Sequence, residues 1–161
     1  MTLTEMEAEL ERLHAASFAW ALACCGRDRE EAADVLQTSY LKLLDGRARF
    51  QSRSSFKTFL FGVIRRTASE ERRRRVFRYL VGRRGGGPNP DAAAAPEERL
   101  AVISALAKLA RRQREVLELV FYMGMTLQEA ADVLAISVGS ARVHYDRGKK
   151  RLMSHLAGEE K

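Results

Sequence analysis

Two stretches of this chain hold residues whose types and spacing suit work on a polyanion. Between Ser137 and Leu152, Ser140, Arg142, Val143, His144, Asp146, Arg147, Lys149, Lys150 and Arg151 lie off the face that Ala141, Tyr145, Gly148 and Leu152 share at helical spacing. Cations there can neutralise phosphates, and Gly139 and Ser140 leave room for close approach to DNA. Between Phe50 and Arg78, Phe50, Phe56, Phe59 and Phe61 run into Arg65, Arg66, Arg72 to Arg75 and Arg78. Unpaired bases stack on rings while guanidinium groups hold the strand, so this order suits single-stranded DNA. For Phe59 and the apolar stripe with Leu60 and Val63, the spacing by itself favours a core role. The arginine density exceeds what solubility requires.

Catalytic chemistry has no comparable support. No glycine-rich loop follows a strand, no nucleophile stands near a base, and the three histidines are scattered without metal-ligand spacing. No cofactor and no metal is expected. Cys24 and Cys25 are adjacent and have no other cysteine to pair with. They read as reduced thiols packed on a helix in a cytoplasmic protein. No apolar run is long enough to insert in a membrane, and the acidic N-terminal stretch has no signal-peptide pattern. A net charge of +7 over 161 residues favours an acidic polymer as partner.

These groups need helices to hold them. A first helix is expected from about Thr4 to Cys25, on the spacing of Leu10, Leu13, Ser17, Trp20 and Cys24, with Gly26 ending it. A second starts at Asp28 and Glu31 and buries Ala32, Val35, Leu36, Ser39, Tyr40 and Leu43, leaving Asp34, Gln37, Thr38 and Lys42 on a solvated side. Ser54 or Ser55 caps a third, long helix. Residues 81–96 contain three consecutive glycines and every proline of the chain, and read as a flexible linker. Beyond it, Pro96 opens a helix with Leu100, Ile103, Leu106 and Leu109 as its buried stripe. Another is expected from about Arg112 to Met123. Thr126 and Glu129 then form a capping box, Ala135 and Ile136 a turn, and Ser137 the cap of the basic helix. Two short helices, a tight turn and a basic second helix are what a helix-turn-helix reader of DNA needs. The fold class expected is all-α, with two small helical domains.

The order of these parts resembles the bacterial RNA polymerase sigma factors, in the extracytoplasmic-function (ECF) group. REEAADVLQTSYLKLL is similar to the family's segment that docks on the clamp helices of the polymerase β′ subunit. The resemblance implies core-polymerase contacts, to β′ and β, at Asp34, Gln37, Thr38 and Leu41. SSFKTFLFGVIRRTASEERRRR resembles the segment that melts and reads the −10 element, which implies −10 contacts at Phe56, Lys57, Phe59, Arg65, Arg66, Glu70, Arg72 and Arg73. LARRQREVLELVFYMGMTLQEAADVLAISVGSARVHYDRGKKRL is similar to the domain that reads the −35 element. It implies contacts at Ser140, Arg142, Val143, His144, Asp146, Arg147, Lys149 and Lys150. Thr38, Phe59, Arg66, Ala141 and Asp146 depart from the usual residues; Asp146 could accept a hydrogen bond from a cytosine amino group. The implied organisation is residues 1–80 for core and −10 binding, 81–96 as linker and 97–161 for −35 binding. The implied protein is a non-enzymatic promoter-specificity subunit held by an anti-sigma factor. The alternatives are a stand-alone helix-turn-helix regulator, or a protein that titrates polymerase.

Overall fold

The computed structural model describes residues 1–82 and 97–158, and all regular structure among them is helical. The chain divides into two compact units, Met1–Asn89 and Pro90–Lys161.

The first unit holds α1 (Leu3–Arg12), α2 (His14–Cys24), α3 (Arg29–Leu44) and α4 (Phe56–Leu80). The single helix expected over 4–25 is thus two, broken at Leu13 (φ −93°, ψ 1°). Its hydrogen bonds run on through the break, Leu13 N to Glu9 O at 3.0 Å and Ser17 N to Leu13 O at 2.8 Å. Leu10, Leu13, Ser17 and Trp20 all stay buried. The apolar period survives the break, so the sequence pattern does not reveal it. Caps mark the other starts. Asp28 Oδ1 accepts from Glu31 N at 3.0 Å, and Ser55 rather than Ser54 caps α4, accepting from Thr58 N at 3.1 Å.

α4 buries Leu60, Phe61, Val63, Ile64, Thr67 and Ala68, while Trp20 and Ala21 of α2 and Val35 and Leu36 of α3 are buried beside them in this unit. The indole of Trp20 is fully buried, stacks on Phe61 at 6.0 Å and donates to the Phe61 carbonyl at 3.0 Å. Lys42 is not on a solvated side: its side chain is only 17% exposed, and its ammonium bonds Thr67 Oγ1 at 3.0 Å and Glu70 Oε2 at 2.6 Å. Val81 and Gly82 form the turn that ends α4. From residue 83 on, the expected linker lies outside the described residues, as does Pro96.

The second unit holds α5 (Glu97–Ala107), α6 (Arg111–Leu117), α7 (Leu127–Leu134) and α8 (Val138–Leu156). Leu106, Leu109 and Leu117 form a buried cluster against which Val102, Tyr145 and Leu152 pack. The stripe expected on α5 is only partly covered: Leu100 is 39% exposed. The helix expected over 112–123 gives way after Leu117 to a π-helical turn, Glu118–Tyr122. Its wider turn brings Met123 N to Glu118 O at 3.1 Å and leaves Phe121 and Tyr122 exposed.

Two small residues set how α8 sits. At Gly148 an added Cβ would lie 3.0 Å from Gln113 Cβ and 3.3 Å from Gln113 O, so α6 and α8 meet there almost backbone to backbone. Ala135, between α7 and α8, is left-handed at φ 53°, a conformation that costs a non-glycine residue about 1 kcal/mol. Ala135→Gly should therefore stabilise this unit by about 1 kcal/mol, and Gly148→Ala should destabilise it by about 1–3 kcal/mol through overpacking. Urea unfolding of the whole chain, with hydrogen exchange followed at α6 and α8, measures both; equal stability of the two variants would refute the crossing described.

Candidate nucleic-acid interface

The helix-turn-helix is built by its caps. Thr126 Oγ1 accepts from Glu129 N at 3.1 Å, and Thr126 N donates to Glu129 Oε2 at 2.7 Å. Ser137 Oγ accepts from Ser140 N at 3.0 Å and starts α8. Ala141 and Gly148 are buried, and Tyr145 and Leu152 half-buried, as their shared face predicts. That leaves Ser140, Arg142, Val143, Asp146, Arg147, Lys149 and Lys150 exposed. His144 is half-buried, toward the flank of the face. Phe121 stacks on Tyr145 at 5.8 Å, and the Lys149 ammonium stands 6.0 Å from the Tyr145 ring. An exposed basic helix with small residues at its start is the shape a major groove admits.

In the first unit an open pocket of about 430 Å³ gathers residues far apart in sequence. Phe59 and Val63 of α4 give it an apolar wall. Lys42, Arg66 and Glu70 line it with Arg47, Ala48 and Arg49 from the loop after α3. Of the −10 residues expected from sequence, Phe59, Arg66 and Glu70 meet here. Arg47 and Arg49 went unassigned, although the Arg-Ala-Arg-Phe spacing beside an aromatic helix was a signal for them. The Lys42 ammonium, its hydrogen-bond partner, holds the Glu70 carboxyl below its ordinary value against the opposing effect of burial.

The remaining expected −10 residues are placed differently. Phe56, edge-on to Phe50 at 5.4 Å and 6.2 Å from Phe59, is buried and does not line the pocket; Phe59 also touches Phe50, at 5.3 Å, but is half-buried and lines it. Arg72 Nη2 donates to the Cys24 carbonyl at 2.8 Å, tying α4 to the end of α2, and nearby Arg75 pairs with Glu31 at 2.9 Å. Lys57 lies 5.6 Å from the Phe61 ring. Arg65 is half-buried, while Arg66 and Arg73 are exposed. Cys24 and Cys25 are buried, and burial pushes the Cys25 thiol up to about 12, so it stays protonated and unreactive at neutral pH.

On α3, Asp34, Gln37 and Leu41 are exposed and Thr38 half-buried at i, i+3, i+4 and i+7, with Leu44 also exposed. Leu41 at 51% exposure, flanked by Asp34 and Gln37, makes this a mixed apolar and polar face that a protein could cover.

Comparison with known proteins agrees in both units. Residues 10–78 match sigma-70 region 2 and residues 99–152 match sigma-70 region 4. The ECF sigma factor SigL of Mycobacterium tuberculosis is 32% identical over 139 residues, 78% of this chain and 75% of its own length. This chain belongs to the ECF group of the sigma-70 family. Sigma factor SigX of Bacillus subtilis is 28% identical over 81% of the chain and 73% of its own length. Among solved structures, CnrH in complex with the cytosolic domain of CnrY has a TM-score of 0.68 at 25% identity, over 95% of this chain and 88% of that one. RpoE of Bartonella quintana, in complex with the anti-sigma factor NepR, shares the fold at a TM-score of 0.78 and 20% identity, over 99% and 100% of the two chains. No helix among the described residues of this sigma factor is long and apolar enough to cross a membrane.

The Lys42–Glu70 pair gives the sigma factor a pH signature. Glu70 titrates lower in the folded than in the unfolded chain, so its contribution is present above the unfolded value, about 4.3, and is lost as pH falls through the folded value. Acid denaturation of the wild type should therefore steepen below about pH 4.3 relative to Glu70→Gln. Parallel curves would show that the exposed side of this pair is screened enough to contribute nothing.

Proposed function

We propose that this sigma factor docks on core RNA polymerase through the outward face of α3 and contacts promoter DNA at two separate places. Residues 1–80 carry the polymerase and −10 contacts, residues 97–161 carry the −35 contacts, and residues 81–96 tether them. Asp34, Gln37, Thr38 and Leu41 form the core-binding face, with Leu44 at its edge.

The pocket takes the opened −10 strand. An unpaired base stacks on the Phe59 ring, and Arg47, Arg49 and Arg66 hold the adjoining phosphates, flanked by Lys57, Arg65 and Arg73. Glu70 orients Lys42 at the rim. Phe56 backs the Phe59 ring, and Arg72 anchors the helix instead of touching DNA. Opening a duplex costs roughly 1.4 kcal/mol per base-pair step, and stacking on an aromatic returns roughly 1–3 kcal/mol per base. One captured base therefore offsets the opening of about one step. The rest must come from phosphate contacts and from polymerase.

α8 enters the major groove at the −35 element. Arg142, Val143, Asp146 and Arg147 face bases, Ser140 and His144 sit at the edges, and Lys149 and Lys150 meet the backbone. The chain catalyses nothing; phosphodiester chemistry stays with polymerase, in the bacterial cytoplasm. Since CnrH and RpoE of Bartonella quintana occur in complexes with CnrY and NepR, we extend an anti-sigma partner to this chain. The observation that carries the whole reading is the exposure of the α8 cations on the segment that matches sigma-70 region 4.

Added to sigma-free core polymerase on host DNA, the protein should produce discrete new start sites, and their absence despite stable core binding would sink the reading. Arg147→Ala should weaken −35 binding by roughly 5- to 150-fold, the equivalent of about 1–3 kcal/mol per base contact, and leave core association unchanged. Gln37→Ala should weaken core association and leave binding to −35 duplex by the free protein unchanged. Loss of both activities in either variant would contradict the division of labour.

A further inference from the structure

Phe59, Val63, Arg66 and Glu70, which wall the pocket, are spaced by four, three and four residues, so they share one face of α4. The same spacing continues through Arg73, Phe77 and Leu80, three, four and three residues on. These three are exposed, Phe77 at 68%. The side chains that α4 gives to the core lie on the opposite side, where Leu60, Ile64, Thr67 and Ala68 are buried. The end of α4 has run past the core of its own unit, so Val76 and Tyr79 are exposed on its other sides too, and Phe77 and Leu80 are the apolar residues there that stand in line with the pocket.

We infer that this stripe is a second DNA contact, in which Phe77 packs on a thymine methyl in the major groove of the duplex flanking the opened −10 strand while Arg73 holds a phosphate. The inference rests on the promoter-binding role proposed above for the pocket. An α-helix fits that groove, and a thymine methyl is the apolar group a base pair presents there. Eleven residues separate Arg66 from Phe77, a rise of about 16 Å or roughly five base-pair steps. That places Phe77 beyond a base held in the pocket but within the adjoining duplex. Charge argues for the same occupant. Arg73 and Arg78 are exposed cations within a turn of Phe77; they attract phosphate and would repel a second copy of this basic chain.

The test is promoter affinity of the holoenzyme on templates carrying either thymine or uracil roughly four to six positions from the opened base, since uracil lacks only the methyl. Wild type should bind the thymine template about fourfold more tightly, the factor that ~0.8 kcal/mol per buried methyl corresponds to. Phe77→Ala should abolish that preference without weakening core association. Tyr79→Ala, an equally exposed aromatic two residues on and so on another side of the helix, should keep it. Equal wild-type affinity for both templates overturns the inference, as does a preference that survives Phe77→Ala. Weakened core or anti-sigma binding by Phe77→Ala, with the preference intact, would make the stripe a protein-docking face instead. A wild-type holoenzyme that starts no transcript on either template overturns the promoter-binding role itself, and the inference with it.

Discussion

The rotation of α4 about its own axis is the constraint on which the first unit's functional surface depends. Trp20 is fully buried, and its indole N–H has the Phe61 carbonyl as its partner. A buried donor without a partner costs about 1–3 kcal/mol, and a misrotated α4 would strand this one while exposing Leu60, Phe61 and Ile64. Once those residues face inward, Phe59, Val63, Arg66 and Glu70 must face the loop after α3. The pocket is therefore a consequence of core packing, with Lys42 and Arg66 supplied by α3 and α4 and Arg47 and Arg49 by the loop between them.

The same packing sorts arginines that look alike in sequence. Arg72 and Arg75 fall where α4 passes the end of α2 and the start of α3, and they bond the Cys24 carbonyl and Glu31. Arg66 and Arg73 fall on the outward stripe and stay exposed. A basic run thus divides into residues that hold the helix in place and residues left exposed. Lys42 belongs with the first kind, since Thr67 and Glu70 take its ammonium.

In the second unit the corresponding constraint is the close crossing of α6 and α8 at Gly148. It seats one side of α8 deeply enough that the opposite side, from Ser140 to Lys150, stands clear. Ala135 accepts a left-handed backbone so that α7 can turn into α8 within three residues. The π-helical turn after α6 rotates Phe121 outward onto Tyr145 and so supports the base of α8.

Local chemistry determined much of this from the sequence alone. Thr126 with Glu129, Ser137, Asp28 and the Ser54–Ser55 pair mark helix starts because a short side chain three residues upstream is all an unpaired helix N–H needs, though the structure chose Ser55 over Ser54. Apolar spacing identified the inward sides of α3 and α8, since a 3.6-residue period is a property of one helix by itself. Tertiary structure decided what depended on a second segment. The partners of Lys42, Arg72 and Arg75 lie 25 to 48 residues away, and the pocket joins a loop to a helix face. The break at Leu13 and the π turn after Leu117 keep the apolar period nearly intact. Periodicity says which side of a helix seeks cover, but only packing says what covers it, and hence which cations remain exposed.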